Sequence, residues 1–273
     1  MIEILIPTCL RPEVLDRTLD SFRRFLFTDP VLDIIPVGIH LNVDPVGPCP
    51  RPREVKETVQ RHFPRLLSWR FADEPSFPVA FASLWQAASG HNPVFYLEDD
   101  WELLRPVDLA HMLAILEMNP DLAGLRLPWK PTEAARMKNW RYFFPWNGEF
   151  FACPADLRRA VGFCGHPGLF RGEFVARCAP HLDTTRNPEK QFHHGSPALM
   201  AEVDRWQFGV FARPNELPAI RDIGRAWMVE HGFRKAGSKA HFTHWENAPS
   251  PSSTPSIPSM SSISPSSPEV PHA

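Results

Sequence analysis

The feature that most constrains this chain is the alternation of short apolar runs with amphipathic segments along its first hundred residues. Residues 2–6 are apolar at almost every position, which is typical of a strand buried on both faces of a mainly parallel sheet. The run ends at Pro7, and Pro12 then opens a segment with apolar residues at helical spacing. Further strands are predicted at 34–43, 66–71 and 93–97, and further helices at 55–63 and 80–88. This order predicts βαβ units and an α/β fold with a mainly parallel sheet flanked by helices.

The pattern becomes less regular after Trp101. A helix is predicted over 107–118 and a strand over 123–127, and the region from 153 to 207 is predicted to be rich in loops with two helices. We therefore expect one domain, 1–247, with a regular front half (1–105) and a less regular back half (106–247). Residues 248–273 are rich in proline and serine and carry no aromatic residue. Such a segment buries too little apolar surface to offset the entropy of ordering, so a disordered tail is predicted.

Composition excludes several classes of protein. The formal net charge of -2 provides no overall basic field for non-specific binding to nucleic acid. No apolar run reaches the roughly 20 residues of a membrane span, and the first residues lack the basic region of a secretory signal. The five cysteines are scattered without a C-x-x-C pair, so neither a disulfide framework nor a zinc knuckle is indicated. A cytoplasmic protein without membrane partners is expected.

Three consecutive carboxylates, Glu98, Asp99 and Asp100, follow the fourth predicted strand. Ligands of open α/β sheets bind beyond the carboxyl ends of the strands. Because side chains alternate along an extended segment, we expect Glu98 and Asp100 to share a face while Asp99 points away. Hard oxygen ligands suit Mg²⁺ or Mn²⁺, which commonly take one or two carboxylates together with substrate phosphates. The alternative is a solvated acidic turn.

The opening of the chain resembles the first strand, loop and helix of GT-A fold glycosyltransferases, especially the inverting enzymes similar to family 2. The resemblance is carried by Ile6-Pro7-Thr8, Arg11-Pro12, Leu15 and Thr18-Leu19-Asp20-Ser21, with Phe22 in place of the family's last leucine. In that fold a D-x-D motif follows the fourth strand, and FYLEDDWEL stands at the corresponding place. Its E-D-D form is similar to that of N-acetylglucosaminyltransferases.

This resemblance implies a GT-A fold, with the nucleotide-sugar-binding part in 1–105 and the acceptor-binding part in 106–247. It implies Asp100 as the principal contact of a Mn²⁺ or Mg²⁺ ion, with Glu98 and Asp99 nearer the ribose or behind the metal. The donor would be a nucleotide-diphospho sugar, with a UDP-sugar favoured.

The resemblance also places the loop after the first strand along the nucleotide. Pro7 and Thr8 would line it, and Arg11 would lie near the base or the diphosphate. Asp44, after the second predicted strand, would lie near the base or the ribose. This chain reads NVDPVG where the family usually has V-D-D-G-S or similar, so the identity of the nucleotide stays open.

An inverting transfer needs a general base that removes the proton of the acceptor hydroxyl. The family supplies it as an Asp or Glu from the back half, and the candidates in this chain are Glu149, Glu173, Asp183 and Glu189. Glu189 is favoured because the family's base often opens a short helix after a polar loop. Asp183 is the second choice.

GT-A enzymes often supply a late histidine to the metal, and His231, His241 and His244 are available here. His244 is chosen among them, and the alternative is an ordinary terminal helix and strand.

Three tryptophans lie close together in the chain: Trp129, Trp140 and Trp146. Their rings could stack on a sugar or a base, or could belong to an ordinary hydrophobic core.

The resemblance therefore implies a metal-dependent glycosyltransferase of the hexosyl or N-acetylhexosaminyl type that transfers the sugar with inversion. Its acceptor would be a glycan, a small molecule or a hydroxylated base in DNA, the last requiring a basic stripe formed by Lys130, Arg136, Lys138 and Arg141. One alternative is a metal-dependent phosphohydrolase or nucleotidyltransferase, which would not explain the I-P-T-x-x-R opening. Another is a catalytically inactive sugar-binding module.

Overall fold

A computed structural model provides the structure of the protein, and it describes residues 1–130, 144–236 and 244–247, the residues from 234 onward by their backbone alone. The strands are β1 (Ile2–Cys9), β2 (Val37–Asp44), β3 (Leu66–Phe71), β4 (Val94–Tyr96), β5 (Trp101–Leu103), β6 (Leu122–Arg126), β7 (Phe151–Ala152), β8 (Gly168–Phe170), β9 (Gln207–Val210), β10 (Ile220–Asp222), β11 (Phe233–Ala236) and β12 (His244–Asn247). The α-helices are α1 (Pro12–Phe25), α2 (Asp29–Ile34), α3 (Pro52–His62), α4 (Phe77–Ala87), α5 (Leu109–Met118), α6 (Gly172–Cys178), α7 (Pro188–His194), α8 (Pro197–Arg205) and α9 (Gly224–Glu230).

Eight strands form one sheet in the order β3-β2-β1-β4-β8-β6-β9-β7. The pairings of β3 with β2, β2 with β1, β1 with β4 and β6 with β9 are parallel. The strand β8 runs antiparallel to both of its neighbours, β4 and β6. The front of the chain therefore forms a parallel half-sheet in which β1, β2 and β4 end at the same edge.

Helices cover both faces of this sheet. On one face, Ile4 of β1 packs in the same cluster as Leu19 of α1, Val59 of α3 and Ile115 of α5. On the other face, the cluster is rich in aromatic residues from α4, α6 and α7: Phe81, Trp85, Phe174 and Phe192, with Leu5 from β1. Because β1 is buried on both faces, its side chains must be apolar at nearly every position, as its sequence shows.

The predicted α/β class with a mainly parallel sheet is confirmed, and the differences concern boundaries. The second strand begins at Val37 instead of residue 34, because residues 29–34 form α2, with a proline in its first turn. The back half contains three α-helices between residues 153 and 207, α6, α7 and α8, where two had been predicted. The division into two functional halves stays a prediction, and residues 248–273 lie outside the described residues.

Two short strands build the edge of the sheet where the site lies. Directly after the E-D-D segment, β5 pairs antiparallel with β10, so that Trp101 lies opposite Asp222. The helix α9 follows β10 at once and packs its Trp227 in a cluster with Val14 of α1. In this way a late segment of the chain returns to the carboxyl ends of β1 and β4. No helix in the described parts of the chain is long and apolar enough to cross a bilayer.

Candidate active site

A buried arginine joins the loop after β1 to the E-D-D segment after β4. Arg11 donates through Nε to Oδ2 of Asp99 (3.0 Å) and through Nη2 to Oδ1 of Asp99 (2.6 Å). The same Nη2 donates to Oδ2 of Asp100 at 2.9 Å. Thr8 Oγ1 and the Cys9 amide also donate to Asp99, at 2.8 and 3.3 Å. Every residue of this network except Asp100 is buried.

The network shifts the pKa values of the two aspartates in opposite directions. Burial alone would raise the pKa of Asp99, but the guanidinium of Arg11 and the donors Thr8 and Cys9 bring that pKa below its usual value. Burial raises the pKa of Asp100, and Arg11 only partly opposes the increase. Asp99 is therefore the permanent anion that holds Arg11, while Asp100 is the carboxylate that gains most from a further cation.

The expected alternation of the three carboxylates is wrong. The strand β4 ends at Tyr96, and residues 99 and 100 form a turn, so Asp99 and Asp100 both reach Arg11. Helix α1 holds this turn, because Thr18 Oγ1 donates to the carbonyl of Asp99 at 2.7 Å. Of the other two polar residues of the T-L-D-S motif, Ser21 accepts a hydrogen bond from the Leu103 amide at 2.9 Å, whereas Asp20 is exposed.

The start of α9 packs against Asp100. The Ile223 amide donates to the carbonyl of Asp100 at 2.9 Å, and a Cβ added to Gly224 would lie 2.2 Å from Asp100 Oδ2, so only glycine fits there. The carboxylate of Asp222 lies close enough to raise the pKa of Asp100 further. Asp222 Oδ1 accepts from the Gly224 amide at 2.9 Å, which fixes the turn.

The residues present fit a divalent cation that the substrate helps to bind. None of the described residues donates a hydrogen bond to Asp100 Oδ1, and Asp222 adds a second carboxylate nearby. Among the residues that the structure describes, no group of three or more His, Cys, Asp or Glu side chains could hold a metal ion by itself. Two carboxylates completed by phosphate oxygens are the usual ligand set of Mg²⁺ in nucleotide sites.

Asp44 lies at the same sheet edge, at the end of β2. Its Oδ1 accepts from Asn42 Nδ2 at 3.0 Å and its Oδ2 accepts from the Ser76 amide at 3.1 Å, while Arg70 Nη1 donates to Asn42 Oδ1 at 3.0 Å. Burial raises the pKa of Asp44 to about 6 in spite of these donors. Asp44 is thus a carboxyl group that can be protonated under mildly acidic conditions.

A cavity of about 660 Å³ opens beside the E-D-D segment. It is lined by Glu98, Trp101, Leu104, Trp129, Gly165, His166, Glu189, Pro218, Ile220, Arg221, Asp222 and Arg225. Four carboxylates from three parts of the fold line or border it, because Asp100 lies beside Asp222 and Gly224. This volume suits a sugar or another small molecule.

Glu98 and Glu189 lie on the walls of this cavity. Tyr96 donates its hydroxyl to Glu98 Oε1 at 2.9 Å, which orients that carboxylate. Glu189 lies in the first turn of α7, which follows a polar loop. Asn187 is the N-cap of this helix, and its side chain accepts a hydrogen bond from the Lys190 amide. Glu189 is close enough to Tyr96 and to His166 to shift the pKa of both.

The remaining predicted residues are placed as follows. Pro7 and Thr8 lie at the end of β1, and Thr8 contacts Asp99. Trp129 lines the cavity, whereas Trp146 packs against Phe151 with ring centroids 5.3 Å apart.

Asp183 lies on the exposed loop before α7, where its Oδ1 accepts from the amide and the hydroxyl of Thr185. His244 begins β12, and its side chain, like Trp140, lies outside the described part of the chain. None of these assignments is tested by the arrangement alone, so they stay predictions.

Sequence reasoning missed three residues of this cavity: Trp101, His166 and Asp222. Trp101 directly follows the E-D-D segment, so its position in the motif could have indicated it. His166 and Asp222 carry no local signal, because both reach the cavity only through the return of β8 and β10 to the sheet edge.

Comparison with known proteins supports the fold. No protein-family model matches the chain, and no curated protein sequence matches it. Among solved structures, the mannosyltransferase PcManGT from Pyrobaculum calidifontis, in complex with GDP-Man and Mn²⁺, matches 85% of this chain with a TM-score of 0.52 and 13% identity. TarS from S. aureus matches 80% of this chain with a TM-score of 0.49 and 10% identity. A CMP:2-keto-3-deoxy-manno-octonic acid synthetase complexed with CTP matches 84% of this chain and 99% of its own, with a TM-score of 0.46 and 14% identity.

At such low identity these likenesses concern the fold alone. The chain shares its fold with PcManGT, which agrees with the GT-A fold that the resemblance of the opening residues implied. This chain spans 60% of the length of PcManGT and 59% of the length of TarS.

Replacing Asp99 tests the importance of the buried ion pair. We expect Asp99→Asn to lower the free energy of unfolding by about 3–5 kcal/mol, because Arg11 would keep a buried charge with an incomplete partner. Urea unfolding followed by circular dichroism measures this. Glu57→Gln, which breaks the exposed pair with Arg53, is the matched control and should change little. Equal effects of the two substitutions would contradict the role of Asp99.

The raised pKa of Asp44 predicts a pH-dependent stability. As the pH rises from 3.8 to about 6, the unfolded chain loses the proton of Asp44 while the folded chain keeps it, so ionisation favours unfolding. The Asp44 contribution to stability therefore falls through this window, by up to about 3 kcal/mol, and is constant at higher pH. Urea unfolding of the native protein and of Asp44→Asn at a series of pH values should show curves that converge or cross. Parallel curves would show that Asp44 titrates normally.

Proposed function

We propose that this protein is a divalent-metal-dependent glycosyltransferase that moves a sugar from a nucleotide-diphospho sugar to an acceptor hydroxyl with inversion. The observation that carries the proposal is that Glu189 lies on the wall of the same cavity as Glu98, which stands two residues before Asp100. A carboxylate beside the proposed metal site and a second carboxylate on the wall of the same sugar-sized cavity are the groups that such a transfer requires. The fold agrees with this proposal but does not choose the reaction.

The nucleotide would lie along the ends of β1 and β2. Asp44 offers a carboxyl group to the ribose or the base, and Thr8 and Pro7 border the same edge. Arg11 is held by Asp99 and Asp100, so its main role is to position these carboxylates. We expect its substitution to weaken nucleotide binding through Asp100 rather than through a lost direct contact.

The metal would be held by Asp100, with Asp222 beside it and His244 as the predicted late ligand. When bound, a Mn²⁺ or Mg²⁺ ion neutralises the diphosphate of the departing nucleotide. Arg225 lies at the same end of the cavity, where its Nε is 3.3 Å from Asp222 Oδ2 and most of its side chain is exposed. Its guanidinium can therefore approach a diphosphate without breaking a buried contact.

Glu189 would act as the general base. It is partly exposed to the cavity, and α7 fixes its position because Asn187 caps the helix directly before it. Asp183 is a weaker candidate, because its carboxylate already accepts two hydrogen bonds from Thr185 and lies on an exposed loop. The acceptor would enter from the end of the cavity formed by Leu104, Pro218 and Ile220. This end is apolar and suits a glycan or a small molecule better than a duplex.

Calorimetry with nucleotides tests the donor and the metal together. We expect UDP or GDP and their sugars, with UDP-sugars favoured, to bind at least about tenfold more weakly without Mn²⁺ or in Asp100→Asn, because both the cation and its carboxylate hold the diphosphate. Asp156→Asn, at an exposed position, is the control. If the folded protein binds no nucleotide under any metal condition, the proposed function is wrong. Release of phosphate or pyrophosphate from a plain nucleotide would favour a phosphohydrolase or nucleotidyltransferase instead.

The two candidate bases can be separated by substitution. Glu189→Gln should lower the rate of nucleoside diphosphate release from the donor by about 10²–10⁴-fold, because no base then removes the proton of the acceptor hydroxyl. The affinity for the donor should be unchanged. Asp183→Asn should leave the rate nearly unchanged. The measurement is the rate at which UDP is released from UDP-hexoses and UDP-N-acetylhexosamines, with water or a glycan mixture as the acceptor. The reverse result would assign the base to Asp183, and NMR of the product anomer tests inversion.

A further inference from the structure

One side of the cavity is built from three aromatic rings. His166 lies edge-to-face against Trp101, with ring centroids 5.1 Å apart, and edge-to-face against Trp129, with centroids 5.5 Å apart. All three residues line the cavity. Such contacts restrict the orientation of the imidazole, because tilting it would lose one of the two edge-to-face arrangements.

The imidazole of His166 is neutral in the folded protein. Burial, and then the positive charge of Arg126, lower its pKa to about 3, and the opposing effect of Glu189 is smaller. A neutral imidazole has one nitrogen that donates and one that accepts a hydrogen bond. None of the described residues forms a hydrogen bond with either ring nitrogen of His166. The ring therefore offers a neutral donor and acceptor to whatever occupies the cavity.

Arg126 adds to the effect of burial in keeping this histidine neutral. Its guanidinium is buried beneath the loop that carries His166, where Nη1 donates to the carbonyl of Val161 (3.2 Å) and to Cys164 Sγ (3.0 Å). No carboxylate of the described residues forms an ion pair with it. A second positive charge on His166 would thus be placed near an arginine that is not neutralised, which is unfavourable.

The position of His166 within the cavity indicates which part of a substrate it meets. The neighbouring Gly165 approaches the metal side closely, because a Cβ added to it would lie 3.0 Å from Glu98 Oε1. The sugar of a nucleotide-diphospho sugar is bonded directly to the phosphate that the metal binds. It must therefore lie at the Glu98 end of the cavity, whereas the end at Leu104 and Pro218 is left for the acceptor.

We propose that His166, held between Trp101 and Trp129, forms the subsite for the donor's sugar ring and recognises one of its hydroxyl groups by a hydrogen bond. This inference rests on the proposed function and adds to it the residue that selects the sugar. Aromatic rings beside a sugar bind its C–H faces, and the imidazole supplies the polar contact that distinguishes one hydroxyl arrangement from another. A subsite of this kind binds an uncharged pyranose and gives no advantage to the bare nucleotide.

The test compares the affinity of the nucleotide with that of the nucleotide sugar. UDP, UDP-glucose, UDP-galactose, UDP-N-acetylglucosamine, GDP and GDP-mannose are titrated into the native protein with Mn²⁺, and into His166→Phe and His166→Gln. We expect His166→Phe to bind UDP or GDP as the native protein does, but to bind the preferred nucleotide sugar about tenfold more weakly. His166→Gln should recover part of this loss, because an amide also donates and accepts. The exposed His91, which lines a separate cavity, provides the control His91→Phe.

Two results would overturn the inference. Either His166→Phe lowers the affinities for nucleotide and nucleotide sugar by the same factor, or it changes neither while thermal melting shows a folded protein. If His166→Phe is unfolded, the comparison is made with His166→Gln and Trp129→Phe, which should reduce the sugar-dependent part of the affinity by smaller factors. A failure of the proposed function gives a different result, because the native protein would then bind none of the six compounds. The proposed sugar subsite would be rejected together with it.

Discussion

The buried contact between Arg11 and the two aspartates is the interaction on which the rest of the site depends. It joins the loop after β1 to the turn after β4, and through Asp100 it also reaches the start of α9. A buried guanidinium is stable only when its partners satisfy it well. Both carboxylate oxygens of Asp99 therefore accept hydrogen bonds within the protein, whereas Asp100 accepts one from Arg11 through Oδ2. The same contact that holds three segments together thus gives the two aspartates different surroundings.

The charges around the cavity follow a clear arrangement. Acidic groups converge at the end that contains Glu98 and Asp222, where a cation and a diphosphate would complete one another. Glu189 of α7 lines the same cavity. His166 stays uncharged between two indole rings, which keeps the sugar-sized part of the cavity neutral. The two arginines that line the cavity each pair with a carboxylate of the protein.

Much of the fold was predictable, because burial on both faces leaves a direct trace in the sequence. The apolar run of β1 and the helical spacing in α1 were recognised from the residues alone, and the E-D-D segment was placed at the correct strand end. The boundary of β2 was wrong because residues 34–39, which span the end of α2 and the start of β2, are apolar without interruption. The orientation of Asp99 was wrong because the alternation rule holds only while the chain remains a strand, and β4 ends at Tyr96.

The sequence by itself determined the α/β class and the position of the acidic segment after the fourth strand. These depend on local patterns of polarity and on motifs that are continuous in the chain. Only the tertiary structure decided that Asp99 and Asp100 share Arg11, that Asp222 lies beside Asp100 and that His166 lies between Trp101 and Trp129. The reason is physical: each of these contacts joins residues that are distant in the chain, and their meeting depends on how the strands order in the sheet rather than on any local preference.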